Sequence, residues 1–344
     1  MAATRAPDGR AVSSVCVLLP YRNAQSTIVE ALESSLAQRD VRVHVIAVDD
    51  GSTDNSSSLV HALAARHSGI ECVASGGVGI VGALQRGSSF LRSEWVARMD
   101  ADDIAHPERL VAQLGLLEQD ATIAAVGTQV EAFPQDAVQE GLRLYLEWQN
   151  SVVSKGDFVR EIFVESPFCH PSVTMRRSAY ETVGGYRDVS WAEDYDLWLR
   201  FHAAGYGLAK VPRSLLSWRH HAGQLTFGDA RYSKGEFRKA RATFLAPVLR
   251  NAGREVVIWG AGPTGKGLAR ELRGHGVQVS FFIDIDPAKI GRTRQGSCVY
   301  GPEVLAKGAQ TIVVAVGARG ARALIRDHLR QRAFAEGVDF IVAS

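Results

Sequence analysis

Three carboxylates stand within four residues, at Asp100, Asp102 and Asp103, directly after a short apolar run over 94–99. Charges packed this closely repel, and burial penalises them further unless a cation neutralises them. A hard divalent ion does this. Mg²⁺ or Mn²⁺ takes one or two protein carboxylates and completes its shell with water or substrate phosphates. An Asp-x-Asp that ends a strand therefore points to a metal–diphosphate site, with a solvated acidic turn as the plainer alternative. Two more polar clusters follow apolar runs: Tyr21, Arg22 and Asn23 after 15–19, and Asp49 and Asp50 after 41–48. Farther on, Gly260, Gly262 and Gly265 satisfy G-x-G-x-x-G after the run 256–259, and Asp284 closes the next run. That spacing lets backbone N–H groups approach a diphosphate at a helix N-terminus, with the acid on a ribose.

The elements that must position these residues alternate regularly. Apolar runs at 15–19, 41–48, 70–74 and 94–99 read as strands. The stretch 27–37, with apolar residues at 28, 29, 32 and 36 behind Ser26 as N-cap, reads as a helix, as do 56–66, a segment leading from the Gly76–Gly82 turn to Leu91, and one starting at Pro107. Strands alternating with helices predict an open, largely parallel sheet, whose ligands bind at the carboxyl ends of the strands. Pro20 should end the first strand. The rhythm restarts after residue 249, with strands at 256–259, 277–283 and 311–316 and a helix at 266–274. This predicts a second, smaller Rossmann-like unit.

At 344 residues, with 46% apolar and 22% charged residues, the chain is ordinary for a globular protein of two domains. Its formal net charge of +2 hides an asymmetry: residues 209–274 hold thirteen Lys/Arg against four Asp/Glu. Such a stripe suits an anion, whether nucleic acid, an acidic membrane surface or the acidic remainder of the chain. Cys16, Cys72, Cys169 and Cys298 have no metal-ligand spacing. No apolar run reaches the ~18 residues of a membrane span, and the start lacks a signal-peptide core. A cytoplasmic location is expected, with peripheral membrane contact through the stripe left open.

Four motifs occur together: the run 15–23, Val48-Asp-Asp-Gly-Ser-Thr-Asp54, Met99-Asp-Ala-Asp-Asp103 before His106-Pro-Glu-Arg-Leu110, and Gly184-Gly-Tyr-Arg187 before Ala192-Glu-Asp-Tyr-Asp-Leu-Trp-Leu199. This set resembles the family 2 glycosyltransferases over roughly residues 14–225. The resemblance implies a GT-A fold with an open mixed sheet, and inverting transfer of a sugar from a nucleotide donor, usually UDP-linked. It implies that Pro20, with Tyr21 or Arg22, lies against the nucleotide and that Asp50 reads the base. Asp100 and Asp102 would bind the metal and the donor diphosphate, Mn²⁺ or Mg²⁺ being the cofactor. Asp194 would be the general base, with Glu193 holding its orientation or binding acceptor; negative charge at a helix N-terminus is the structural alternative. Trp218-Arg-His-His221 is similar to a closing segment of relatives, which would bring Arg219 to the diphosphate and His221 to the diphosphate or metal.

The whole chain is also similar, at a distance, to the queuosine-tRNA galactosyltransferases. The added features are Trp259-Gly-Ala-Gly262, Asp284-Ile-Asp286 with Lys289-Ile290, and Glu336-Gly-Val-Asp-Phe340. This implies UDP-galactose as donor and a modified tRNA as acceptor. Two alternatives stand beside it: a transferase of cell-surface polysaccharide or lipid-linked glycan, and an oxidoreductase or sugar-nucleotide modifying enzyme centred on Gly260, Gly262, Gly265 and Asp284. The expected organisation is a flexible tail over 1–13, a GT-A domain over 14–225, a basic helical linker over 226–253 and a Rossmann-like domain over 254–344.

Overall fold

The computed structural model describes residues 12–221, 223–224 and 228–344. Most of the expected tail (1–11) and the expected boundary at 225/226 lie outside the described residues. Contacts divide the chain into two units. The first runs through Lys155 and adds Pro167–Val189 and Arg200–Gly228; the second comprises Gly156–Ser166, Ser190–Leu199 and Asp229–Ser344.

The first unit is built on an eight-stranded sheet. Its strands are β1 (Ser14–Tyr21), β2 (Arg42–Asp49), β3 (Ile70–Ala74), β4 (Trp95–Arg98), β5 (Ile104–Ala105), β6 (Ile123–Phe133), β7 (Thr174–Arg176) and β8 (Gly207–Arg219), in the order β3-β2-β1-β4-β7-β6-β8-β5. β1 pairs in parallel with β2 and β4, β3 pairs in parallel with β2, and β7 runs antiparallel to β4 and β6. The sheet is therefore mixed and open. β1 and β4 are buried along nearly their whole length, as near-continuous apolar strands between covered faces must be.

Helix α1 (Ile28–Leu36) buries Ile28 and Leu32 of the expected stripe and Ala31 beside them, while Val29 and Leu36 are half-buried. α2 (Ser56–Ala64) and α3 (Gly79–Ser88) follow β2 and β3. α3 lies so close to the sheet that a Cβ on Gly87 would stand 2.3 Å from Leu18. α4 is Arg109–Gln119, and α5 (Glu140–Ser151) follows β6; α6 (Lys155–Glu161) and α7 (Arg177–Thr182) come next in the chain.

Pro20 does not end β1, which continues to Tyr21. Leu18 O accepts from Met99 N, so even positions of β1 face β4, and the last β4 pair is Leu18 with Arg98. Pro20 comes two residues past that pair, where its missing N–H removes no ladder bond.

The second unit carries a six-stranded sheet. Its strands are β9 (Glu255–Trp259), β10 (Val279–Ile283), β11 (Thr293–Arg294), β12 (Ser297–Tyr300), β13 (Gln310–Val314) and β14 (Phe340–Val342), in the order β11-β12-β10-β9-β13-β14. All its pairs are parallel except β11 with β12. Helix α9 covers Lys234–Ala252, α10 Pro263–Gly274 and α11 Ala321–Gln331. The stretch expected as a linker is thus, from Lys234, a 19-residue helix counted with this unit. Its start is capped by Ser233 Oγ and its end by Gly253 in the left-handed region. Among the described residues no helix is long and apolar enough to cross a membrane.

Candidate functional site

The acidic turn sits at the carboxyl end of β4, where the order of an open sheet places its ligands. Two-residue β5 follows it at once and pairs with Leu216 and Ser217 of β8, so the end of β8 is carried to the turn. Ligand oxygens of Asp100, Asp102 and Asp103 lie within 4.8 Å of one another, the one such cluster among the described residues. Asp100 and Asp102 are about one third and one quarter exposed, whereas Asp103 is buried.

Burial, then the charge of Asp100, pushes the Asp102 carboxyl above its ordinary range, against a hydrogen bond from His221. Burial, then Asp100 and Asp102, pushes Asp103 up further. Asp103 Oδ1 accepts from Arg219 N (2.7 Å), while its Oδ2 is buried with no hydrogen-bond partner. An orphaned carboxylate oxygen in a crowded acidic turn is the arrangement a divalent cation would relieve.

Cations lie behind this turn as well. Buried Arg98 reaches Asp100 Oδ1 at 2.5 Å. Buried Arg109 donates to Arg98 O (2.8 Å); burial pulls its guanidinium down to about 10, against the charge of Asp103. Both arginines stand in the motif run, but only their burial reveals this role.

The Arg219 guanidinium, expected at the diphosphate, is engaged within the first unit. Its Nε donates to Asp102 O (2.7 Å), its Nη2 pairs with Glu30 (2.6 Å), and the group lies 4.5 Å over the Phe133 ring. It buttresses the acidic turn. His221 hydrogen-bonds to the acidic turn at Asp102. Gly223 N donates to its Nδ1 (3.1 Å), which leaves Nε2 as the donor to Asp102 Oδ2 (2.8 Å).

Of the residues expected against the nucleotide, Pro20 and Tyr21 are buried, and the Tyr21 hydroxyl contacts Ser57 Oγ at 3.5 Å. Tyr21 belongs to the core of the first unit and offers no face for stacking; the even/odd alternation of a strand sends it inward. Arg22 is exposed. Asp50 is 5% exposed, and its carboxylate accepts from Ser75 Oγ (2.7 Å) and from Gly79 N (3.0 Å to Oδ2). It therefore pins the glycine turn, in which Gly76, Gly77 and Gly79 all take positive φ.

Glu193 and Asp194 open helix α8 (Glu193–Ala203), and both fall in the second unit. Glu193 is 2% exposed, and both its oxygens accept from the Tyr232 hydroxyl (3.1 and 3.2 Å). Asp194 is half-buried, and its Oδ1 accepts from Tyr195 N at 2.6 Å. Of the two, Asp194 is the carboxylate with solvent access. Tyr232 carries no local sequence signal and was missed.

The second glycine loop has two glycines required by packing. A Cβ on Gly260 would meet Ala315 O at 2.4 Å and one on Gly265 would meet Gly260 O at 1.9 Å, whereas one on Gly262 meets open space. Asp284 turns back onto its own loop instead of standing free for a ribose. It accepts from Ala261 N and Asp286 N (3.0 Å each) and from Lys289 Nζ (3.1 Å). Burial works against the charge, but these bonds outweigh it and hold the carboxyl below its ordinary range.

Part of the basic stripe is engaged within the protein. In the first unit Lys210 is buried and donates to Gln149 O and to Pro167 O; burial draws it down to about 7. In the second unit Arg241 is buried and donates to Ala343 O (2.8 Å), Arg254 pairs with Asp339 (3.0 Å), Lys239 with Glu236 (2.5 Å) and Arg238 with Glu271 (3.7 Å). These five cations are engaged by protein partners.

Comparison with known proteins agrees with the first unit. A model of glycosyl transferase family 2 matches residues 16–184. EpsE of Bacillus subtilis (strain 168), a protein named as a glycosyltransferase, is 32% identical over 197 residues, 56% of this chain and 68% of EpsE. The amylovoran biosynthesis glycosyltransferase AmsE of Erwinia amylovora is 28% identical over 207 residues, 60% of this chain and 75% of AmsE. Two solved structures share the fold. S. aureus TarS 1-349 in complex with UDP-GlcNAc superposes with a TM-score of 0.54 at 15% identity, covering 76% of this chain and 72% of that one. The Pyrobaculum calidifontis mannosyltransferase PcManGT with GDP-Man and Mn²⁺ gives 0.50 at 22%, covering 80% and 73%. With its motifs set on the strand ends of this mixed sheet, the chain belongs to the family 2 glycosyltransferases and is itself a glycosyltransferase.

Proposed function

We propose that this enzyme performs metal-dependent, inverting transfer of a hexose from a nucleoside diphosphate sugar, UDP-linked by preference, to a hydroxyl of a saccharide acceptor. The observation that carries the donor half is the acidic turn, with its three crowded carboxylates and one orphaned buried oxygen. These residues fit a divalent cation: Asp100 and Asp102 would hold Mn²⁺ or Mg²⁺, with Asp103 behind them. When bound, the ion supplies positive charge against the charge developing on the departing diphosphate. The UDP-GlcNAc and GDP-Man/Mn²⁺ complexes of the two structural neighbours support this reading.

The chain's own residues do the remaining work. Arg98, Arg219 and His221 fix the turn, so that the carboxylates need not reorganise when the donor arrives. Arg22, exposed just after β1, is the residue proposed to lie against the nucleotide. Asp194 is the proposed base. The acceptor oxygen attacks the anomeric carbon, the bond from that carbon to the diphosphate oxygen breaks with inversion, and the hydroxyl proton passes to the Asp194 carboxylate. No covalent intermediate is needed. Gly260, Gly262, Gly265 and Asp284 have no part in this scheme.

For the acceptor, the naming of AmsE as an amylovoran biosynthesis glycosyltransferase supports a polysaccharide. A modified tRNA, implied by the distant resemblance, is the other outcome of the same test. Full-length protein, Mn²⁺ and a panel of labelled UDP- and GDP-hexoses, UDP-galactose included, are incubated with host lysate. Label in saccharide or lipid-linked saccharide is expected. Label in small RNA overturns the acceptor reading and keeps the transferase.

A further inference from the structure

We infer that Tyr232 is a positioning residue for the base, which brings the short turn Ala230–Tyr232 into the catalytic machinery; this rests on Asp194 as proposed above. Glu193, adjacent to Asp194, is a buried carboxylate at the first residue of a helix. Each donor to such a group helps to fix its position. The Tyr232 hydroxyl is one of them, at 3.1 and 3.2 Å from the two oxygens. Arg231 Nη1 stands farther off, at 3.9 Å from Oε2, and its Nε is engaged by Asp229 Oδ2 at 3.1 Å. The Asp229 side chain also accepts from Arg231 N, which fixes the turn that presents Tyr232.

The same end of α8 is seated on two further groups of this unit. Tyr195 donates to Ile162 O (2.7 Å), and its ring stacks on Phe237 at 5.2 Å. Asp194 accepts from Tyr195 N. Its backbone is thus held between a residue clamped by Tyr232 and one clamped by Ile162 and Phe237. Burial, then the charges of Glu193 and Asp194, keeps the Tyr232 hydroxyl protonated, so it acts as donor throughout the working pH range. A base must stand within hydrogen-bond reach of the proton it takes. An error of about 1 Å at such a group costs on the order of a hundredfold in rate.

The test is donor hydrolysis by the full chain, with water as acceptor. UDP release is followed with Mn²⁺ from UDP-galactose, UDP-glucose or UDP-GlcNAc, whichever turns over fastest. Tyr232→Phe keeps the ring and removes only the hydroxyl. It should lower kcat by about tenfold to a hundredfold, leaving the donor KM and the Kd for UDP unchanged. Leu272→Ala, a core truncation in α10, serves as the stability control and should lose Tm but keep kcat. Full kcat in Tyr232→Phe, or an equal loss in Leu272→Ala at matched loss of Tm, overturns the inference. Asp194→Asn separates the two levels. Full turnover in it removes the base reading itself, whereas a dead Asp194→Asn beside an unimpaired Tyr232→Phe removes only the role of Tyr232.

Discussion

Replacing Arg219 with Met distinguishes a buttress of the acidic turn from a ligand of the donor. The substitution removes the guanidinium and keeps the backbone N–H that Asp103 Oδ1 accepts. Three contacts are lost. A charged donor to Asp102 O at 2.7 Å contributes about 1.5–3 kcal/mol. The pair with Glu30, which is 54% exposed, contributes about 0–1 kcal/mol after screening. The cation over the Phe133 ring adds about 0.5–1 kcal/mol. A stability loss of roughly 2–5 kcal/mol follows. The functional effect should fall on the metal: loss of an outer-shell partner typically weakens metal affinity by about 10–100-fold. Mn²⁺ binding to the protein is titrated directly, and UDP is then titrated at saturating Mn²⁺. The expected result is weaker Mn²⁺ binding with an unchanged Kd for UDP once metal is saturating. Unchanged Mn²⁺ affinity with UDP binding weakened by about tenfold or more would refute the reasoning and return Arg219 to the diphosphate.

Asp103→Asn removes one of three repelling carboxylates, so the metal-free protein should become more stable, by about 1 kcal/mol. The stabilisation conferred by Mn²⁺ should shrink at the same time, and melting curves with and without the ion check both signs. Lys210 gives a pH signature. Unfolded, a lysine binds its proton up to about pH 10.4, while the buried one releases it at about 7. Between those values the unfolded chain holds more protons, so stability rises with pH by at most about 1.4 kcal/mol per unit from this group. Lys210→Met should flatten that rise in denaturant titrations at pH 7, 8 and 9, and an unaltered slope contradicts it. In the second unit, Gly265→Ala forces a Cβ to 1.9 Å from Gly260 O and should destabilise by about 1–3 kcal/mol or more. Gly262→Ala, which meets open space, should leave melting and turnover unchanged. Loss of turnover in the latter would show that the loop binds a ligand the transfer needs.

The parts of this fold that were legible in sequence are those set by near neighbours. Apolar runs gave β1 to β4, the stripe at 28, 29, 32 and 36 gave α1 to within a residue at each end, and the carboxylates after residue 98 marked the turn. What was not legible depends on residues far apart in the chain. Arg219 meets Asp102 and Asp103 because β5 pairs with β8 across more than a hundred residues. Tyr21 fits a stacking position by motif, yet strand alternation turns it into the core. The partners of some stripe residues, such as the carbonyls of Gln149 and Pro167 for Lys210 and Asp339 for Arg254, lie elsewhere in sequence and were not legible. Glu193 and Asp194 count with the second unit for the same reason: Tyr232, a donor to Glu193, lies 39 residues on.

In the proposed reaction, hexose transfer from a nucleotide sugar runs through the acidic turn. The decisive experiment is transfer of labelled hexose by metal-stripped protein, with and without added Mn²⁺, beside Asp102→Ala. Transfer should be absent after stripping, restored by Mn²⁺, and absent in Asp102→Ala at every metal concentration. Transfer that persists in stripped protein, or that Asp102→Ala performs normally, would contradict that proposal.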